Sequence, residues 1–110
     1  MSTYNPKRFM VYVIKLDPAV LAHRKFRDDN PNYQQGKDCY YVGMTSNTPQ
    51  ERYKQHMAGY KACRFAKDYG MELMPAQFAQ INPRTYEDTS RHERKVAKRL
   101  KKKGCGVWQR

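Results

Sequence analysis

One stretch of this chain is dense enough in apolar side chains to organise a core. Phe9 to Leu16 is β-branched and aromatic, and its alternation places Met10, Tyr12, Ile14 and Leu16 on one face, so it reads as a strand. Little else shares the task. Leu, Ile, Val and Phe together number 16 of 110 residues, while 22 Lys and Arg face 10 Asp and Glu, a net charge of +12. That balance borders on disorder, but nine Tyr, six Met and one Trp spread along the chain supply an aromatic core in place of an aliphatic one. The length suits one domain. The charge calls for a polyanionic partner, nucleic acid ahead of an anionic membrane.

The longest apolar run stops at Lys15, well short of the roughly 20 residues that span a bilayer, and is too short for a secretory signal. An intracellular, cytoplasmic setting with no membrane partner is expected. Cys39, Cys63 and Cys105 are odd in number and form no Cys-x-x-Cys pair. Reduced thiols are expected rather than a disulfide framework or a compact zinc site.

A second strand is read from Cys39 to Val42, ended by Gly43 and paired antiparallel with the first. Residues 17–37 between them form a helical insertion, in which Asp17-Pro18 caps a short helix through Ala22 and Asn30 to Gly36 makes a loop. Thr48-Pro49-Gln50-Glu51 combines an N-cap, a Pro at the first helical position and a Glu at the third. It starts a helix at Pro49 that runs to about Ala58, with Gly59 near its end. Ala62, Phe65, Ala66 and Tyr69 mark a second helix ending at Gly70. Gln77 to Ile81, between Pro75 and Pro83, reads as a third strand. Tyr86 to Lys102 is a long basic helix broken by Gly104-Cys105-Gly106, after which Val107-Trp108 returns as a short edge strand. The expected fold is α/β (α+β): a three-stranded antiparallel sheet flanked by helices, in the order β-β-α-α-β-α.

Arg52 and His56 lie four residues apart and share one face of the helix from Pro49. Tyr53, Met57 and Tyr60 read as the stripe that anchors this helix, leaving Arg52 and His56 to look along the sheet edge. Taken singly, these two are ordinary solvated residues, and Tyr12 and Tyr41 are ordinary strand aromatics. Glu93 is less ordinary. With Val96, Ala97 and Leu100 it completes an i, i+3, i+4, i+7 set, which puts a carboxylate on the apolar side of the last helix. Burial there requires a cation, a metal ion or phosphate-linked water as partner. The alternative is a capping box, Ser90-x-x-Glu93, if the helix begins at Arg91. An earlier start is supported by Pro83 and Thr85-x-x-Asp88, and spacing alone leaves both open.

Together these residues resemble the GIY-YIG nucleases. Met10-Val11-Tyr12 is similar to the first half-motif with its Gly replaced, and Tyr41-Val42-Gly43 to the second. Thr45, Arg52, His56 and Glu93 follow in the family's order. His92-Glu93, Val96-Ala97, Leu100, Gly104 and Gly106-Val107-Trp108 are similar to the C-terminal pattern of small bacterial and phage members, so the likeness covers nearly the whole chain. It departs at Met10 and by one extra residue between Tyr41 and Arg52. The resemblance implies a small GIY-YIG-like domain, phage- or mobile-element-encoded settings included. It implies a metal-dependent endonuclease acting on DNA phosphodiester bonds, double-stranded DNA ahead of RNA. Glu93 would hold one Mg²⁺ or Mn²⁺ ion, and Arg52 a phosphate oxygen. Either Tyr12 or Tyr41 would position or deprotonate the water, and His56 would assist proton transfer. One carboxylate disfavours a two-metal site.

The remaining cations have a reading of their own. Arg24, Lys25 and Arg27 in the insertion, Lys61, Arg64 and Lys67 around the second helix, and Lys98 to Lys103 on the last can form a rim that contacts the nucleic-acid backbone. The competing readings are a non-catalytic nucleic-acid-binding module with a degenerate site, and an RNA-directed or structure-selective nuclease.

Overall fold

The computed structural model describes residues 7–75 and 83–109. Its centre is the hairpin-like pair β1 (Met10–Leu16) and β2 (Cys39–Thr45), antiparallel in unbroken register from Met10 opposite Thr45 to Leu16 opposite Cys39. β3 (Gly70–Leu73) joins the outer side of β1 antiparallel, and β4 (Gly106–Gln109) joins β2 in parallel, giving the order β3-β1-β2-β4.

The sheet is therefore four-stranded and mixed, which corrects the expected three-stranded antiparallel arrangement. The expected strand Gln77 to Ile81 lies outside the described residues; the observed third strand is Gly70–Leu73, at the residue expected to end a helix. β4 is parallel because α4 (Tyr86–Lys102) acts as a crossover, returning the chain to β2 in the direction β2 already runs. β2 also passes through Gly43 instead of ending there.

Alternation along the strands places Tyr12, Ile14, Leu16, Cys39, Tyr41 and Trp108 on one face. That face is covered by α1 (Arg24–Asp28), α2 (Pro49–Ala58) and α3 (Arg64–Tyr69). The Phe65 ring stands edge-on to Trp108 at 4.9 Å and to Phe26 at 5.8 Å, while His56 meets Tyr41 at 5.2 Å. The opposite face carries Val11, Val13, Val42 and Val107, all fully buried, and α4 packs on β1, β2 and β4 with Val96, Ala97 and Leu100 inward. No helix among the described residues is long and apolar enough to cross a membrane.

Local signals set the helix ends. Thr48 accepts from the Glu51 amide at 3.1 Å to start α2, and Gly59, at φ 83, stops it in the left-handed conformation. Thr85 accepts from the Asp88 amide at 3.3 Å, so α4 begins at Tyr86 and Glu93 is no part of its cap. The insertion is a 3₁₀ turn over Pro18–Ala22, capped by Asp17, followed by α1. The buried Asn30 side chain ties it to the sheet: its amide donates to the Phe26 and Val107 carbonyls, at 2.8 and 3.0 Å, and accepts from the Val107 amide at 2.8 Å. An amide side chain thus substitutes for a neighbouring strand and satisfies the edge of β4.

Candidate active site

Tyr12 and Gly43 are direct partners across β1 and β2, and this pairing creates the site. A Cβ on Gly43 would stand 2.6 Å from the Tyr12 hydroxyl oxygen, so the missing side chain is the space in which the phenol lies. The hydroxyl reaches Nε2 of His56 at 2.7 Å. Nδ1 of the same ring accepts the backbone N–H of Cys63 at 3.3 Å. A nitrogen that accepts carries no proton, so neutral His56 bears its hydrogen on Nε2 and donates it to Tyr12. Burial, then the positive Arg52, lowers the His56 pKa to about 4, which keeps the ring neutral near pH 7.

His56 therefore lies fully inside the protein, which corrects the expectation that it looks along the sheet edge. The expected anchoring stripe of α2 is also only partly buried: Tyr53 and Met57 are half-buried, and Tyr60 is 56% exposed. The reason His56 is buried is that the Tyr12 hydroxyl and the Cys63 amide give the imidazole polar partners that the helix's own spacing does not reveal. Tyr41 is buried beside Tyr12, their ring centroids 6.0 Å apart.

Arg52 is half-buried and is held by the turn after α2. One guanidinium nitrogen donates to the Gln55 side chain at 3.1 Å and to the Tyr60 carbonyl at 3.2 Å; another donates to the Lys61 carbonyl at 2.7 Å. Lys61 adopts φ 43, the left-handed region that non-glycine residues seldom enter, and so turns its carbonyl toward Arg52. Tyr12, Arg52, Gln55 and Lys61 line a cleft of about 460 Å³, with Phe9, Met44, Thr45, Ser46, Asn47, Tyr60 and Tyr86 as its other walls. Met10 is half-buried opposite Thr45 and is not among these walls.

Burial raises the pKa of both tyrosines. At Tyr12 the Tyr41 hydroxyl and the Arg52 guanidinium oppose that rise, whereas at Tyr41 the Tyr12 hydroxyl adds to it. The surroundings disfavour the charged form of both tyrosines, but only at Tyr12 do neighbouring side chains oppose that effect, and Tyr12 is the one that reaches the cleft. The negative charge of Glu93 raises both, which places this carboxylate within electrostatic reach of the pair.

Glu93 is 4% exposed on the sheet-facing side of α4, and its Oε1 accepts from the Gln109 side chain at 3.3 Å. It does not line the cleft. Among the described residues no cluster of three or more His, Cys, Asp or Glu side chains is placed to hold a metal. A lone carboxylate is not the donor set of a caged zinc ion; a hard cation such as Mg²⁺ or Mn²⁺ would need only one such ligand, with water and substrate oxygens completing its shell. Cys39, Cys63 and Cys105 are free thiols.

The cations expected as a single rim are divided. Lys61 lines the cleft; Arg24, Lys25 and Arg64 line a separate pocket; Lys98 lines a third, with Lys101 and Lys102. Arg27 is used structurally, donating to the Leu21 and Ala22 carbonyls at 2.8 and 2.9 Å, and Lys67 lies against Gly59. Gln55, Tyr60, Cys63, Tyr86 and Gln109 belong to the site and were not foreseen. Four of them act through backbone groups or side-chain amides, for which sequence has no signature. Comparisons with protein-family models, curated proteins and solved structures found no match to this chain.

Proposed function

We propose that the chain is a metal-dependent endonuclease that hydrolyses DNA phosphodiester bonds at the cleft containing Tyr12, and that Glu93, outside the cleft lining but within electrostatic reach of Tyr12, is the residue that would hold a single divalent cation. The observation that carries this reading is the tyrosine hydroxyl seated over Gly43, donated to by a neutral buried histidine and flanked by a clamped arginine. The resemblance to GIY-YIG nucleases and the net charge of +12 support it.

Hydrolysis needs an activated water, a countercharge for the phosphorane-like transition state and help for the leaving 3′ oxygen. Arg52 holds a non-bridging phosphate oxygen through its planar donors, and its backbone clamp fixes it before substrate arrives. Tyr12 is the general base. His56 Nε2–H already occupies one lone pair of the phenol oxygen and stabilises the phenolate, so His56 positions that oxygen and does not take its proton. Tyr41 supports the same charge from the buried side. Glu93 would hold the divalent cation, which would supply positive charge for the phenolate and the phosphate.

The test is nicking of supercoiled plasmid with Mg²⁺ or Mn²⁺, against EDTA. Wild type nicks only with metal, and Glu93→Gln, folded and still binding DNA, falls by at least about 100-fold. Unchanged nicking by Glu93→Gln contradicts the assignment of Glu93. Binding without nicking under either ion makes the chain a non-catalytic nucleic-acid module.

A further inference from the structure

A second pocket, of about 330 Å³, lies on the other side of the turn that clamps Arg52. It is lined by His23, Arg24, Lys25, Cys63, Arg64, Phe65 and Trp108. Lys61 lines the cleft and Cys63 and Arg64 line this pocket, so the short segment between α2 and α3 walls both. Trp108 is also the register partner of Tyr41, one strand spacing, about 4.8 Å, from the buried side of the catalytic cluster.

The pocket's chemistry is two-part. One part is aromatic: Trp108 is half-buried and braced edge-on by Phe65 at 4.9 Å and in a stacked arrangement by Phe26 at 6.5 Å, and His23 stands edge-on to Phe65 at 5.4 Å. The other is cationic: Arg24, Lys25 and Arg64 are all exposed at its edge. Arg24 and Arg64 face Asp28 and Asp68 at 3.6 and 3.7 Å, but these are exposed pairs that a phosphate displaces at little cost. Aromatic rings beside three cations match one ligand chemistry, a flat heterocycle attached to phosphate. The volume falls within the roughly 300–1,000 Å³ of small-molecule sites.

We infer that this pocket holds an unpaired nucleobase of the strand crossing the cleft, the base against Trp108 and its flanking phosphate on Arg24, Lys25 and Arg64. The inference rests on the nucleic-acid reading of the cleft and adds a substrate class to it. A base in this pocket has left its duplex stack, so single-stranded, flapped or locally unpaired substrates are favoured over uniform duplex.

Trp108 is the chain's single tryptophan and therefore its own reporter. The probes are thymidine and uridine oligonucleotides of about 12 nucleotides, within the usual single-strand site size, and a blunt DNA hairpin of equal charge closed by a non-nucleotide linker, so that it has no unpaired base. Without metal, binding is followed by anisotropy of a labelled strand and occupancy by Trp108 fluorescence. Saturable quenching by either single strand but not by the bound hairpin, together with loss of quenching and about ten-fold weaker single-strand binding in Lys25→Ala/Arg64→Ala, supports the site. Both substitutions are at exposed positions, and circular dichroism checks the fold. Single-strand binding that leaves Trp108 fluorescence unchanged, or quenching that the hairpin or the double variant reproduces, overturns the pocket while leaving the nucleic-acid reading intact. Absence of binding to any probe overturns both.

Discussion

At the residue scale, Gly43 and His56 show how little room the site leaves for substitution. A methyl at Gly43 would meet the Tyr12 oxygen at 2.6 Å, and the phenol must swing away from His56 to clear it. Gly43→Ala is expected to cost about 1–3 kcal/mol in urea unfolding and about 100-fold in nicking rate, the usual scale for an ångström of misplacement. Wild-type nicking by a folded Gly43→Ala contradicts the account. His56 makes a separate prediction. Its pKa falls from 6.5 in the unfolded chain to about 4 in the folded one, so below 6.5 the unfolded state binds the extra proton. The stability this burial preserves is complete above pH 6.5 and is lost as pH falls toward 4, a loss of about 3 kcal/mol. Urea unfolding across this window should fall more steeply for wild type than for His56→Gln; parallel curves refute a neutral buried His56. The tyrosines, Arg52, His56 and Glu93 are all visible in the sequence by type and spacing. The burial of His56 is not, because a neutral imidazole inside a protein and a solvated one look alike until their partners are known.

At the scale of elements, signals confined to a few neighbouring residues were legible and those that depend on distant pairing were not. The starts of α2 and α4 follow from Thr48 and Thr85, because a cap bonds within its own turn. Placing Glu93 inside α4, rather than in its cap, follows from the second of these. The strand at Gly70–Leu73 has no alternating pattern to announce it; it exists because β1 offers an open edge. The parallel setting of β4 depends on where α4 delivers the chain. Lys61 is the element-level device that sequence conceals most fully, since its left-handed backbone links Arg52 on one side to the Cys63 amide on the other. Lys61→Gly is expected to raise stability by up to about 1 kcal/mol and Lys61→Val to lower it by about 1–2 kcal/mol in urea unfolding. The reverse order contradicts the strain assigned to this turn.

At the scale of the molecule, a +12 chain with few aliphatic residues uses its aromatics twice, in the core and on the walls of the cleft. Tyr12, Tyr41, Phe26 and Phe65 are buried, whereas Tyr60 and Tyr86, 56% and 48% exposed, stand at the cleft beside Lys61. Net charge raises the expectation of a polyanion but says nothing of the division of the cations into separate patches, because helix spacing fixes only neighbours on one helix. The central claim is that Tyr12 is the base of a phosphodiester hydrolase. Its most direct test is the initial rate of supercoiled-plasmid nicking by Tyr12→Phe in Mg²⁺, with DNA affinity measured in parallel. Removing one hydroxyl is expected to lower the rate by about 10²–10⁴-fold while affinity stays within about two-fold. Tyr12→Phe that binds and nicks like wild type contradicts the claim.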